Sequence, residues 1–228
     1  MRPVWKGRTL EVCLFDLDGT LIAPSIDFGA MHRRVVAVAA DHGLAPETFE
    51  DMHVLEIIER ACAMLARRNG GRADALRAAA QGAVGEIEME AAERVQPLRG
   101  AAEVLAWLSD GGCRVGIVTR NARRPVERIL QRIPLRHDAL LTRDDVPSVK
   151  PDPDHLRRAL DVLGSGAESG TEAAMMVGDH PMDVLAGKRA GLATVAVQSS
   201  GSTKEALRSQ APDLILRDVS QLRGVLER

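Results

Sequence analysis

Two aspartates lie one residue apart in the segment LFDLDGT, residues 14–20. The apolar residues before them are typical of a strand, so Asp16 and Asp18 come where a strand ends and the chain turns. Two carboxylates this close repel each other, and a hard divalent cation, which prefers oxygen ligands, would relieve the repulsion. A carboxylate can also attack phosphorus and form an aspartyl-phosphate, which divides one hard displacement into two easier ones. The pair therefore predicts a nucleophile, Asp16, beside a general acid and base, Asp18.

Three further polar segments follow apolar runs of the same kind. Thr119-Arg120-Asn121 comes after a run that ends at Val118, and Lys150 lies in SVKPDPD. The segment GDHPMD, from Gly178 to Asp183, follows AAMMV. If these runs are parallel strands, their carboxyl ends meet at one edge of a sheet, where such folds bind ligands. We therefore expect four acids, one lysine and one hydroxyl in a single crevice.

Short apolar runs alternate with helix-period segments over most of the chain, which predicts an α/β fold: a Rossmann-like, doubly wound parallel sheet with helices on both faces. Runs rich in Val, Ile and Leu suit strands that are buried on both faces. The predicted strands are Val12–Phe15, Val115–Val118, Ala139–Leu141, Ala174–Val177, Ala193–Val197 and Leu214–Leu216, and the helices between them include Gly100–Ser109, Arg123–Arg132 and Pro153–Leu163.

Residues 26–96 interrupt this alternation with helix after helix, which predicts an inserted α-helical cap domain. The catalytic core then consists of residues 1–25 and 97–228. Asn69-Gly70-Gly71 separates the second and third cap helices, and the Gly- and Ser-rich stretch Ser165–Thr171 is interpreted as a loop. The predicted cap helices are Phe28–His42, Pro46–Arg68 and Arg72–Val95.

Four segments occur in an order and spacing that resemble those of the haloacid dehalogenase superfamily. They are DLDGT, the Thr after the second core strand, the KPDP lysine and GDxxxD. The cap after the first motif resembles that of the subgroup holding phosphoglycolate phosphatases and β-phosphoglucomutases (subfamily I, helical C1 cap). The resemblance implies a Mg²⁺ ion held by the Asp16 side chain, the Asp18 backbone carbonyl and the Asp179 side chain. It also implies that Asp183 acts from the second shell, through a coordinated water or Lys150.

Lys150 would supply positive charge for the phosphoryl group and the nucleophile. Thr119 would hydrogen-bond a phosphoryl oxygen, with the backbone N–H groups of Leu17 and Arg120. Simpler interpretations exist for each residue: Thr119 could cap a helix starting near Asn121, Gly178-Asp179 could form a helix cap, and Lys150 could be a solvated loop lysine. The Arg120 side chain could contact a second anionic group of the substrate or face solvent.

The leading functional prediction is a metal-dependent phosphatase for a small phosphomonoester, similar to phosphoglycolate or a sugar phosphate. A phosphomutase of the β-phosphoglucomutase type keeps every core motif and stays open. Asp18 argues against a dehalogenase, the absence of lysine from residues 26–96 argues against a phosphonatase, and the intact acid set argues against a non-catalytic regulatory module. Substrate contacts are expected from the cap, where the candidates are Ile26, Asp27, Phe28, Met31 and the arginines Arg33, Arg34, Arg67, Arg68 and Arg72.

The composition is that of an ordinary globular protein, with 45% hydrophobic and 27% charged residues and a formal net charge of −2. This nearly neutral charge does not indicate a nucleic-acid-binding protein. The three cysteines include no C-x-x-C pair, which disfavours a disulfide framework and a zinc site. Neither a signal-peptide pattern nor a membrane span is found, so we expect a cytoplasmic monomer or homodimer whose partner is a small phosphorylated metabolite.

Overall fold

The computed structural model describes residues 2–66, 70–164, 171–199 and 202–226. Arg67, Arg68, Asn69 and residues 165–170 of the expected loop lie outside the described residues. The strands are β1 (Val4–Trp5), β2 (Arg8–Thr9), β3 (Val12–Phe15), β4 (Arg114–Val118), β5 (Ala139–Leu141), β6 (Ala174–Gly178), β7 (Ala193–Val197) and β8 (Leu214–Leu216). The α-helices are α1 (Phe28–Asp41), α2 (Val54–Ala66), α3 (Gly70–Ala92), α4 (Ala101–Asp110), α5 (Arg123–Arg132), α6 (Asp154–Val162), α7 (Pro181–Arg189), α8 (Lys204–Ser209) and α9 (Leu222–Leu226).

The chain forms two compact units, residues 1–24 with 95–228 and residues 25–94. In the larger unit, six parallel strands form one sheet in the order β5-β4-β3-β6-β7-β8. β3 lies in the middle, where Leu14 pairs with Gly116 on one side and Met176 on the other. The predicted α/β fold class is confirmed, and each predicted strand is found to within one residue at each end.

Burial explains why the strands are continuous apolar runs. Every residue of β3 and β6 is buried, because helices cover both faces of a parallel sheet. On one face, Leu14 and Met176 pack with Leu156 and Leu160 of α6. Each such buried side chain contributes about 1.5–3 kcal/mol relative to its exposed state. The central strands are therefore firmly fixed, and so are the segments that leave their carboxyl ends.

The short hairpin of β1 and β2 was not predicted from the sequence. Its two strands have only two residues each, too few for a period-two pattern to be recognised. The Lys6 ammonium of its turn donates to the Asp213 carboxylate at 2.7 Å, beside β8.

In its described residues, 25–66 and 70–94, the smaller unit has three α-helices and one 3₁₀ turn around its own apolar core. This core includes Val35 of α1, Ile57 of α2 and Leu76 of α3. Of the five candidate arginines, the structure describes Arg33, Arg34 and Arg72, and all three are exposed. Among the described residues, no helix is both long enough and apolar enough to cross a membrane.

One predicted cap helix, Pro46–Arg68, is wrong in its first part. The structure has a 3₁₀ turn at Pro46–Phe49 and an α-helix that begins only at Val54. Phe49 is fully buried and its carbonyl lies 3.0 Å from His32 Nε2, which holds the turn against α1. The Glu56 carboxylate accepts a hydrogen bond from the His53 backbone N–H and fixes the later helix start. The third cap helix likewise begins at Gly70, inside the expected break, and ends at Ala92.

Candidate active site

The candidate site is built from segments that leave the carboxyl ends of three neighbouring strands. Asp16 follows β3, Thr119 follows β4, and Asp179 follows β6. The Asp16 backbone N–H donates to the Val177 carbonyl at 2.9 Å, and that of Thr119 donates to the Leu141 carbonyl at 2.9 Å. The backbone hydrogen bonds of the sheet therefore continue to Asp16 and Thr119 and position both residues.

Lys150 lies at the centre of the site and not on a solvated loop. Its side chain is 1% exposed. Its ammonium group donates to Asp16 Oδ1 at 2.6 Å, to the Val118 carbonyl at 2.7 Å, and lies 2.8 Å from Asp183 Oδ1. Burial lowers the pKa of Lys150, but the attraction of the two carboxylates outweighs it and raises the pKa above its usual value. The lysine is therefore a fixed positive charge.

A buried histidine beneath the lysine was not identified from the sequence. His155 of α6 is fully buried, and its Nδ1 accepts a hydrogen bond from the Lys150 backbone N–H at 3.4 Å. Burial and the positive charge of Lys150 lower the pKa of His155 to about 3. The imidazole is therefore neutral at neutral pH, and it supports the backbone that carries the lysine.

Three carboxylates converge beside Lys150. Asp16, Asp179 and Asp183 can each offer one oxygen within 4.8 Å of the other two. Burial raises the pKa of Asp16 to about 6, with Lys150 opposing and Asp183 adding to the rise. Burial, followed by the charges of Asp16 and Asp183, raises the pKa of Asp179 to about 8. One lysine does not compensate three crowded acids, and this all-oxygen donor set fits a hard divalent cation such as Mg²⁺.

Two hydroxyl groups orient Asp179, and one of them, that of Ser199, was not predicted from the sequence. The Ser199 hydroxyl, just after β7, donates to Asp179 Oδ2, and the Thr20 hydroxyl lies 3.4 Å from Asp179 Oδ1. Ser199 follows a strand end like the other site residues, but a lone serine there carries no recognisable motif. Its role depends on the sheet order, which places β7 beside β6.

Asp183 is held from two sides. Its Oδ1 pairs with Lys150, and its Oδ2 accepts the His180 backbone N–H at 3.0 Å. His180 is the N-cap residue of α7, and its Nδ1 accepts the Met182 N–H at 3.2 Å. The cap of this helix is therefore made by His180 and Asp183, while Asp179 faces the other carboxylates.

Asp18 and Thr119 are connected through Asn121. The Asn121 amide donates to Asp18 Oδ2 at 2.7 Å, and its backbone N–H donates to Thr119 Oγ1 at 3.2 Å. Helix α5 begins at Arg123 with Ala122 as its N-cap residue, so Thr119 does not cap that helix. No role for Asn121 was predicted from the sequence.

The remaining predicted phosphate-binding residues flank Asp16 and Thr119. Leu17 is buried, and its carbonyl accepts the Leu21 N–H at 2.9 Å. A hydrogen bond from the Leu17 backbone to the Asp16 carboxylate lowers the pKa of Asp16, but burial has the larger, opposite effect. The Arg120 guanidinium is half-buried against Met182, with Nη1 3.0 Å from Sδ. Its carbonyl accepts a hydrogen bond from Arg143 at 3.1 Å.

Two glycines leave space for the carboxylates. A Cβ atom at Gly178 would overlap the Asp183 carboxylate and lie 2.5 Å from its Cβ and Cγ atoms. At Gly19, whose φ is +75°, a Cβ atom would overlap the Asp179 carboxylate. These residues are glycines because the acids approach the backbone so closely.

We expect Gly178→Ala to lower the free energy of unfolding by about 1–3 kcal/mol, because Asp183 must move away from Lys150 and from the start of α7. Urea unfolding measures this loss. Gly224→Ala, in α9, is the matched control, since a Cβ atom there has nothing within 4 Å. Equal stability of the Gly178→Ala and wild-type proteins would show that the site adapts and that the close approach is not needed.

Comparison with known proteins identifies one family and several similar proteins. A family model described as a haloacid dehalogenase-like hydrolase matches residues 10–191. The pyrophosphatase PpaX of Bacillus cereus strain B4264 is 37% identical over 136 residues, which cover 59% of this chain and 61% of that protein. The match therefore spans about three fifths of this relative's length. The pyrophosphatase PpaX of Halalkalibacterium halodurans is 27% identical over 230 residues, covering 95% of this chain and 97% of that protein.

Solved structures show the same fold. A hydrolase from Pseudomonas syringae has a TM-score of 0.63 at 23% identity and covers 95% of this chain and 98% of its own. CbbY from Rhodobacter sphaeroides, in complex with phosphate, has a TM-score of 0.65 at 22% identity, with coverage of 96% and 100%.

Proposed function

Since the chain belongs to the haloacid dehalogenase-like hydrolase family, we propose that it is a Mg²⁺-dependent phosphatase that hydrolyses a small phosphomonoester through an aspartyl-phosphate. The observation that carries the proposal is the buried cluster in which Lys150 bridges Asp16 and Asp183, with Asp179 alongside. Such a cluster places a nucleophilic carboxylate, a fixed positive charge and further oxygen donors at one point.

Asp16 is the nucleophile of this mechanism. With a pKa of about 6, its carboxylate is mostly ionised at neutral pH. One carboxylate oxygen attacks the phosphorus, a new O–P bond forms, and the bond from phosphorus to the leaving oxygen breaks. Lys150 orients the attacking group through Asp16 Oδ1 and offsets the charge that collects around the phosphoryl group.

Asp18 is the general acid and base. It gives a proton to the leaving oxygen in the first step. In the second step it takes a proton from the water that attacks the aspartyl-phosphate, which releases phosphate and restores Asp16. Its position two residues after the nucleophile, on the same turn, is what separates this mechanism from a dehalogenase mechanism.

Mg²⁺ would be held by the side chains of Asp16 and Asp179 and the backbone carbonyl of Asp18, with Asp183 acting through a water or through Lys150. When bound, the ion would supply positive charge for the phosphoryl oxygens. The crowding of the three carboxylates supports this assignment, because burial and then their mutual repulsion raise the pKa values of Asp16 and Asp179, and a bound cation would oppose both effects.

Thr119 holds a phosphoryl oxygen, helped by the backbone N–H groups of Leu17 and Arg120. Thr119 is 2% exposed, and its Oγ1 already accepts the Asn121 N–H. Its hydroxyl proton is therefore the part of the group that points to a phosphate acceptor.

The candidate phosphomonoesters are phosphoglycolate-like and sugar phosphates. Inorganic pyrophosphate, which is an anhydride, is a further candidate because the B. cereus relative is named a pyrophosphatase. A phosphomutase of the β-phosphoglucomutase type uses the same core residues and remains the alternative. The two differ in whether the phosphoryl group is passed to water or back to a sugar.

Purified protein should hydrolyse an aryl phosphate with Mg²⁺ and lose at least about 100-fold in rate in excess chelator, with recovery when Mg²⁺ is restored. The three crowded carboxylates give the physical reason, because without a cation they repel an anionic substrate. Colorimetric release of the aryl alcohol measures the rate. Undiminished turnover in chelator would exclude the proposed metal role.

A phosphate-release screen in Mg²⁺ then separates the substrates. Its panel contains phosphoglycolate, hexose phosphates, pyrophosphate and a hexose phosphate primed with a bisphosphate. A phosphatase releases phosphate in step with substrate loss. Isomerisation of the primed hexose phosphate with little free phosphate would instead identify a mutase.

A further inference from the structure

Asn121 joins two residues that the proposed mechanism uses and that lie far apart in the sequence. It is 8% exposed. Its side-chain amide donates to Asp18 Oδ2 at 2.7 Å, across 103 residues of sequence. Its backbone N–H donates to Thr119 Oγ1 at 3.2 Å, and its backbone carbonyl accepts the Arg143 N–H at 3.1 Å.

We propose that Asn121 is a positioning residue for proton transfer: it holds the Asp18 carboxyl in place, while its backbone orders the Thr119 hydroxyl. The inference rests on the proposed phosphatase function and names a residue that acts through Asp18 without touching the substrate.

The hydrogen bonds of Asn121 explain how it can act as a rigid support. Both of its backbone groups are bonded, so its own position is fixed before it contacts Asp18. With Oδ2 anchored, the Asp18 carboxyl loses rotational freedom, and its orientation for transferring a proton is set in advance.

The side-chain hydrogen bond of Asn121 to Asp18 and its backbone hydrogen bond to Thr119 can be tested separately. Any residue at position 121 other than proline keeps the backbone N–H that bonds Thr119. The contact of Asn121 with Asp18 is made by its side-chain amide. Replacing the side chain therefore removes support for the acid and base while leaving the phosphate-binding hydroxyl in place.

The test compares substrates that differ in how much they need a proton on the leaving oxygen. Dinitrophenolate leaves without protonation, whereas an alkyl alkoxide needs a general acid. In Asn121→Ala we expect kcat/KM for the best alkyl phosphate of the panel to fall about 100-fold, and kcat/KM for 2,4-dinitrophenyl phosphate to stay within about threefold. Hydrolysis of the aspartyl-phosphate also needs Asp18 as a base. The aryl substrate should therefore give a burst of about one equivalent of dinitrophenolate and then a slower steady state.

Two further variants exclude a purely structural role. Asn121→Leu keeps a side chain of similar size but has no amide to donate to Asp18 Oδ2, and it should show the same selective loss. In an Asp18→Ala background, Asn121→Ala should cause no further fall in kcat/KM for the alkyl substrate. Thermal melting confirms that each variant is folded.

Equal losses with the alkyl and aryl substrates, or a further loss in the Asp18→Ala background, would overturn the role of Asn121 while leaving the phosphatase proposal intact. If the wild-type protein releases no phosphate from any substrate, the proposed function itself fails. A selective alkyl loss with a retained aryl burst establishes Asn121 as the residue that positions Asp18.

Discussion

Asp16→Asn is expected to lower kcat for phosphate release by a factor on the order of 10⁴ to 10⁶, the size of loss seen when an enzyme loses its nucleophile. An amide nitrogen or oxygen cannot replace the carboxylate oxygen that attacks phosphorus, and no aspartyl-phosphate can form. Rapid acid quenching after incubation with a ³²P-labelled substrate should trap labelled protein for wild type and none for the variant.

The loss of kcat in Asp16→Asn must be distinguished from misfolding. The raised pKa of Asp16 predicts how the substitution changes stability, and so provides a control. Because its pKa in the folded protein, about 6, lies above its ordinary value of 3.8, the ionised group lowers stability as the pH rises through this range. Asparagine removes that charge, so at pH 7.5 without metal the melting temperature should not fall. Asp154→Asn is the matched control, since Asp154 is an exposed carboxylate of α6 that pairs with Arg157. Turnover retained in Asp16→Asn would place the nucleophile elsewhere.

The sheet and the meeting of the acids could be predicted because both follow from simple periodicities. A strand buried on both faces is a continuous apolar run, so Val12–Phe15 and Ala193–Val197 are visible in the sequence without any partner. Once the strands are taken as parallel, Asp16, Thr119 and Asp179 must share an edge. The structure places them there, with Lys150 buried between Asp16 and Asp183.

The supporting hydrogen bonds could not be predicted in the same way. The side chains of Asn121, Ser199 and His155 each contact a site residue that lies at least five positions away. Such contacts depend on loop geometry to within a fraction of an ångström, and no periodicity or spacing records them. The break before α2 has a related origin: the burial of Phe49 against α1 overrides the helical period of residues 46–53.

The charge balance of the site connects its geometry to its proposed cofactor. The buried ammonium of Lys150 has two carboxylate partners, and a third carboxylate, Asp179, has hydroxyl partners in Ser199 and Thr20. Hydroxyl groups stabilise a carboxylate but do not neutralise it. Because burial and the charges of Asp16 and Asp183 raise the pKa of Asp179 to about 8, the Asp179 side of the cluster is where a bound cation would most favour the ionised form.

Lys150→Met is expected to lose both turnover and stability, with the free energy of unfolding reduced by about 3–5 kcal/mol at pH 8, because buried carboxylates are left without their cation. Methionine retains most of the volume of the lysine side chain, so the loss reports charge and hydrogen bonds and not a cavity. Lys188→Met is the matched control: Lys188 is exposed on α7, and its replacement should change stability by less than about 0.5 kcal/mol.

The pH dependence of this loss identifies its cause. Asp16 and Asp179 bind protons more tightly in the folded protein, with pKa values of about 6 and about 8 against an ordinary 3.8, so their ionisation lowers stability as the pH rises from about 4 to 8. Removing Lys150 strengthens this trend, since its charge opposes both rises. Urea unfolding without metal should therefore show a small difference between wild type and Lys150→Met at pH 5 and a large one at pH 8. A difference that is the same at both pH values would mean that Lys150 acts by packing alone, and not as the positive charge that favours the ionised form of Asp16.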